Sequence, residues 1–159
     1  MRVTNWAGNI VFGAARVHRP TSIDELHRVV TGSERLRVLG TGHSFNRIAD
    51  TTGDLVSVGS LPPHLELDEA ACTVTVSAGL RYASVAAFVH EHGFALHNLG
   101  SLPHISVAGA CATGTHGSGV TNGVLGTAVR GLEMMTADGE LVRLGAGDPQ
   151  LAGDRKSVV

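Results

Sequence analysis

The chain has 159 residues, a mass of 16.4 kDa, 12 Lys plus Arg against 14 Asp plus Glu, and a formal net charge of -2. No block of like charges marks a nucleic-acid face or a polybasic membrane patch, and no apolar run approaches the roughly 20 residues needed to cross a bilayer. Cys72 and Cys111 lie outside any C-x-x-C pattern, and Met1-Arg-Val-Thr-Asn-Trp-Ala-Gly8 lacks the apolar region of a signal peptide. A soluble protein in a reducing, cytoplasmic setting is the expectation, with one core, possibly lobed.

Ser22 and Glu25, three apart, form a capping box ahead of Ile23, Leu26, Val29 and Val30 at helical spacing, which predicts a helix from about Ser22 to Thr31. Leu36 to Leu39 reads as a short strand. The loop Gly40-Thr-Gly-His-Ser-Phe-Asn46 then hangs off its C-terminal end, where open sheets commonly bind ligands. Asp54 to Val58 and Cys72 to Ser77 read as further strands, the second alternating valine and threonine. Tyr82 to His92 reads as a helix with Val85, Ala86 and Val89 on one face and Gly93 as its stop. Val129 to Gly145 holds two strand-like runs around Asp138-Gly139, a hairpin-turn signal. Mixed elements with a late hairpin make the fold class α+β, with no internal repeat and no dividing linker.

Twenty-one glycines with only 4% aromatic residues describe a chain in which backbone comes close to backbone or to a ligand. Around Gly40, converging N–H groups and the hydroxyls of Thr41 and Ser44 can cradle a phosphate. The dinucleotide fingerprint fails there, because its third glycine position is Phe45, and a Walker loop is excluded by the missing Gly-Lys-Ser/Thr. A second run, Ser101 to Gly119, is built almost entirely of small residues punctuated by His104 and His116. Such a run is poor helix and poor core; a large flat ligand lying along the backbone gives it a reason. The doublet around Glu91, His90 and His92, lacks the H-E-x-x-H spacing, so no metal site is expected.

Three stretches together, Asn5-Trp-Ala-Gly-Asn9, Val38-Leu-Gly-Thr-Gly-His-Ser-Phe-Asn46 and Leu102 to Gly119, resemble the N-terminal FAD-binding region of the alditol oxidases, xylitol oxidase among them. These belong to the vanillyl-alcohol-oxidase-like flavoproteins, which also include the aldonolactone oxidoreductases. The resemblance runs from about Thr4 to Gly153 and implies a two-lobed FAD-binding domain of the PCMH type over residues 1–153. It implies that Val38, Leu39, Gly40, Thr41, Gly42, His43 and Ser44 wrap the FAD pyrophosphate, and that His43 bonds covalently to the 8α-methyl of the flavin. It further implies FAD contacts at Ser101, Ser106, Gly109, Thr113, Gly114, Thr115 and His116, with Ser101 also touching the polyol. Leu102 occupies the position from which some oxidases of the superfamily add a cysteinyl link, so a single histidyl bond is expected. His104 is assigned a structural role, and Cys72 and Cys111 are read as small interior residues.

Carried to the whole enzyme, the resemblance implies hydride transfer from a polyol such as xylitol to the flavin, with O2 reoxidation giving H2O2. The sequence departs from the family at Asp154-Arg-Lys-Ser-Val-Val159, where a further flavin-contacting strand is expected. That ending reads as a divergent, truncated tail with the substrate domain absent and no catalytic base present. The alternatives are a catalytically silent FAD-binding module and a fragment of an aldonolactone oxidase or dehydrogenase.

Overall fold

Two apolar clusters organise the chain in a computed structural model that describes residues 3–149, each cluster within its own compact unit. One unit takes residues 3–62 and 135–140, the other 63–134 and 141–149. The expected boundary at Gly153 and the tail 154–159 lie outside the described residues.

In the first unit, β1 (Arg16–His18), β2 (Leu36–Val38) and β3 (Asp54–Val56) form a parallel sheet in the order β1-β3-β2. The last strand in sequence is inserted in the middle. All three of its residues are buried, as a central parallel strand requires. Between β1 and β2 runs α1 (Ile23–Gly32), and Ser22 caps it by accepting from Glu25 N–H at 3.2 Å. The Glu25 carboxylate reaches past the cap and accepts from Thr21 N–H at 2.8 Å, which holds its pKa below the usual carboxylate range. Ile10, Phe12, Leu39 and Leu55 form the core, with Val3, Ala14, Val17 and Ala49 packed against it. Burying one such large side chain contributes about 1.5 to 3 kcal/mol.

Asp54 opens the central strand at 2% exposure. A buried carboxylate is tolerable only when paired and hydrogen-bonded. Arg16 Nε and Nη2 reach its two oxygens at 2.7 Å each, Ser33 Oγ donates at 2.9 Å, and His18 Nε2 lies 3.6 Å away. The Arg16 guanidinium therefore holds the Asp54 carboxyl down to about 2.

In the second unit, β4 (Leu65–Asp68) and β5 (Thr73–Val76) pair antiparallel, Leu65 facing Val76 and Asp68 facing Thr73. The helix α2 (Tyr82–Glu91) buries Tyr82, Val85 and Val89 and ends at His92, with Gly93 at φ 80°. A short α3 (Val107–Ala112) follows. The core is Tyr82, Ile105, Ala110 and Leu125, joined by Leu96, Val107 and Cys111. The late hairpin consists of β6 (Leu132–Met135) and β7 (Leu141–Leu144). Its turn, whose residues 136–140 are counted with the first unit, is closed by Gly139 N–H to Thr136 O and Thr136 N–H to Glu140 O, with Gly139 at φ 89°. Asp-Gly thus serves a longer, bulged connection and not a two-residue turn.

The structure departs from the sequence expectations in five places. The strand expected over Asp54 to Val58 stops at Val56, because Val58–Ser60 is a 3-10 turn. The strand expected from Cys72 to Ser77 is Thr73–Val76. Cys72 lies in the preceding turn at φ 51° and is exposed, so it is no interior residue. The small-residue run is not wholly non-helical, since α3 lies inside it. Finally, β1 and β4 carry no sequence expectation at all.

Candidate functional site

The first candidate segment leaves β2 at Val38, which is exposed, and turns outward after Leu39, which is buried and donates its N–H to Val56 O at 2.8 Å. From Gly40 onward the backbone is held by the N-terminal segment. Trp6 N–H donates to Gly42 O at 2.8 Å, and Asn5 Nδ2 donates to Ser44 O at 3.0 Å. Gly42 sits at φ 72°, a conformation that side chains rarely adopt, and a Cβ there would lie 3.5 Å from Asn5 Cα. The glycine is required by the turn rather than by crowding. Among the described residues, the N–H groups of Gly40, Gly42 and Ser44 donate to no protein acceptor, so the loop offers backbone donors of the kind that bind phosphate oxygens.

His43 is half-buried in this loop. Its Nδ1 lies 3.0 Å from Thr41 Oγ1, and its ring stacks on Trp6 with centroids 5.1 Å apart and planes inclined at 22°. Asn5 and Trp6 were not among the site residues expected from sequence. The signal was present in the motif Asn5-Trp-Ala-Gly-Asn9, but its contact with a loop some 37 residues on is not a spacing that sequence displays.

The second candidate segment lies in the other unit and is anchored by a strand-like crossing. Arg81 and Ser106 form an antiparallel bridge. Tyr82 N–H donates to Ile105 O at 3.0 Å and Val107 N–H to Leu80 O at 2.8 Å. Ser106 is buried at the N-cap position of α3, although its hydroxyl does not cap that helix. Gly109 is half-buried within α3. Thr113 ends α3 and donates its hydroxyl to Gly109 O at 2.9 Å. Gly114 follows at φ 67°, and Thr115 N–H closes back on Ala110 O at 3.1 Å, a Schellman-type stop. Thr115 in turn accepts Leu125 N–H at 2.7 Å, while His116 is exposed with Nδ1 3.0 Å from Gly117 O.

Ser101 and Leu102 are exposed, and His104 is half-buried. A Cβ at Gly117 would overlap Leu99 O and the Asn98 side chain, so this glycine is demanded by close approach. The structure thus gathers Ser106, Gly109, Thr113, Gly114, Thr115 and His116 along one helix and its exit turn. Cys111 sits behind them with its Sγ 3.4 Å from the Tyr82 hydroxyl, and burial pushes its thiol pKa up. His92, by contrast, stacks obliquely on Phe88 at 4.6 Å, with Nδ1 2.8 Å from Phe88 O.

Comparison with known proteins shows the family and the fold. A family model described as an FAD binding domain matches residues 14–145. Alditol oxidase of Streptomyces sp. (strain IKD472 / FERM P-14339) is 53% identical over 154 residues, covering 95% of this chain and 37% of that protein. L-gulono-1,4-lactone dehydrogenase of Mycobacterium tuberculosis (strain ATCC 25618 / H37Rv) is 35% identical over 153 residues, 94% of this chain and 36% of the relative. The chain therefore spans somewhat over a third of the length of these curated relatives. The solved structure of xylooligosaccharide oxidase from Myceliophthora thermophila C1 superposes with a TM-score of 0.81 at 19% identity, over 96% of this chain and 34% of that one. At that identity the likeness establishes the fold, which is that of the PCMH-type FAD-binding oxidases.

Proposed function

The chain belongs to the FAD-binding-domain family, and from that premise we propose that it is the flavin-holding part of an alditol oxidase acting on polyols such as xylitol. The observation that carries this is the 53% identity to an alditol oxidase along 95% of the chain, well above the 35% shared with a lactone dehydrogenase. Residues 38–44 fit a pyrophosphate, since the loop presents the unspent N–H groups of Gly40, Gly42 and Ser44 beside the hydroxyls of Thr41 and Ser44. Ser101, Ser106, Gly109 and Thr113 to His116 are assigned to the rest of the cofactor, with Ser101 also meeting the polyol.

His43 is proposed as the covalent anchor. A neutral imidazole nitrogen supplies the electron pair for a C–N bond to the 8α-carbon. In forming that bond His43 would lose its N–H proton and the methyl one hydrogen, with dioxygen as the two-electron acceptor that becomes hydrogen peroxide. Held by these residues, FAD would supply a hydride acceptor for a polyol carbinol, with dioxygen taking the electrons. The protein's share of that chemistry is binding, orientation and electronic tuning.

Expression with FAD followed by acid precipitation tests the assignment. Flavin should remain with the pellet and shift the mass of the peptide bearing His43, whereas His43→Ala should retain only dissociable FAD. A folded chain that stays colourless with FAD in excess would refute the reading. Peroxide formation with xylitol against an aldonolactone, in the protein that carries this domain, separates the polyol reading from the lactone one.

A further inference from the structure

The N-terminal turn delivers an aromatic face to His43. Asn5, 2% exposed, organises that turn: its Oδ1 accepts Ile10 N–H at 3.0 Å, its Nδ2 donates to Asn9 Oδ1 at 2.8 Å, and its backbone N–H donates to Ile10 O at 3.0 Å. The next residue, Trp6, is tied by its own N–H to Gly42 O at 2.8 Å, one residue before the histidine. Trp6 is 59% exposed as a residue and belongs to neither apolar cluster. Its indole does stack on the imidazole, the two planes 22° from parallel and the centroids 5.1 Å apart.

We propose that Trp6 is a positioning residue for His43, fixing the plane of the imidazole before flavin attachment. Two constraints act on the ring in perpendicular senses. The indole face blocks tilting about the ring's own plane, and the contact between Nδ1 and Thr41 Oγ1 at 3.0 Å sets the rotation within that plane. Together they select one orientation from those a histidine side chain on a loop otherwise samples. Attachment of a ring nitrogen to carbon needs such an aligned approach, and misplacement by about 1 Å can cost on the order of a hundredfold in rate. The inference rests on the reading of His43 as the anchor, but the geometry it asserts exists without FAD.

The test uses the full chain with Trp6→Leu and Trp6→Phe. In the FAD-free proteins, the His43 ring-proton resonances, assigned through His43→Gln, should be displaced by the indole ring current in the parent and move towards ordinary values in Trp6→Leu. With FAD added, Trp6→Leu should form acid-stable flavin about ten- to a hundredfold more slowly than the parent. Trp6→Phe should recover most of that rate, and thermal denaturation should show both variants folded. His43 resonances that do not respond to Trp6→Leu overturn the inference, as does unchanged attachment in that variant. A parent chain that binds FAD yet forms no acid-stable flavin overturns the anchor reading instead, and the FAD-free spectra still decide whether Trp6 orients the ring.

Discussion

The Asn5 carboxamide donates to Ser44 O at 3.0 Å across 39 residues, so the loop bearing His43 is held by a side chain from the beginning of the chain. The same carboxamide donates to Asn9 Oδ1 and accepts from Ile10 N–H, and Asn5 is 2% exposed. Removing it strands the buried Ile10 N–H and the half-buried Ser44 O, while the exposed Asn9 turns to water; each buried loss costs about 1 to 3 kcal/mol. Asn5→Ala should therefore destabilise the chain by about 2 to 4 kcal/mol, measured by urea unfolding, and should broaden the His43 resonances. A change of under about 0.5 kcal/mol would mean the network is replaced by solvent.

Acid should act through Asp54. Its folded pKa of about 2 lies below the ordinary 3.8, chiefly because Arg16 hydrogen-bonds the carboxylate. A carboxyl depressed in this way contributes stability above the unfolded value, and the contribution fades as pH falls from about 4 towards 2. Urea midpoints of the parent chain should drop through that window. Asp54→Asn should be less stable than the parent at pH 6 and should lose less on acidification. Because Glu25, Asp50 and Asp138 are also held low, the difference between the two curves is the relevant measure, and parallel curves would count against Asp54.

What was legible in the sequence follows from how local each cause is. The cap at Ser22, Val85 and Val89 of the expected apolar face, and the glycine stop at Gly93 are decided within one or two turns, and the structure has them; Ala86, expected on that face, is half-buried, and Tyr82 is buried beside the two valines instead. Arg16–His18 becomes a strand only because Asp54–Val56 inserts beside it, and three residues carry no periodicity to reveal that. Val107–Ala112 is helical despite its glycine because Ala110 is buried with Tyr82, Ile105 and Leu125, so tertiary packing overrides propensity. The glycine-rich loops announced themselves by composition. Trp6, the partner of the first loop, did not, since the stack on His43 joins residues 37 positions apart.

Gly117 should be the least replaceable of the glycines in the second segment. A Cβ there would overlap Leu99 O and the Asn98 side chain, whereas one at Gly145 would meet nothing within 4 Å. Forcing a methyl into a packed site costs typically about 1 to 3 kcal/mol, and an open surface site stays within about 0.5 kcal/mol of neutral. Gly117→Ala should thus lower the denaturation midpoint clearly while Gly145→Ala leaves it in place. Equal behaviour of the two variants would show that the backbone at Leu99 yields without strain.

The two cysteines should differ in reactivity for reasons unrelated to sequence spacing. Cys72 is exposed in its turn, while Cys111 is half-buried with its Sγ 3.4 Å from the Tyr82 hydroxyl. Burial raises the Cys111 thiol above its ordinary 9.0, and alkylation proceeds through the thiolate. At pH 8 a group titrating above 9 is under about a tenth ionised, and limited access slows it further. Iodoacetamide added to the native chain should therefore modify Cys72 first, with Cys111 following only in denaturant, as peptide masses will show. Tyr82→Phe removes the hydroxyl beside the sulfur but keeps the ring in the core that Cys111 packs against, so access should stay limited and the order of labelling should persist. If Cys111 in the parent reacts as fast as Cys72, the packing of Cys111 against Tyr82 opens readily in solution, and the core of Tyr82, Ile105, Ala110 and Leu125 is looser than its burial indicates.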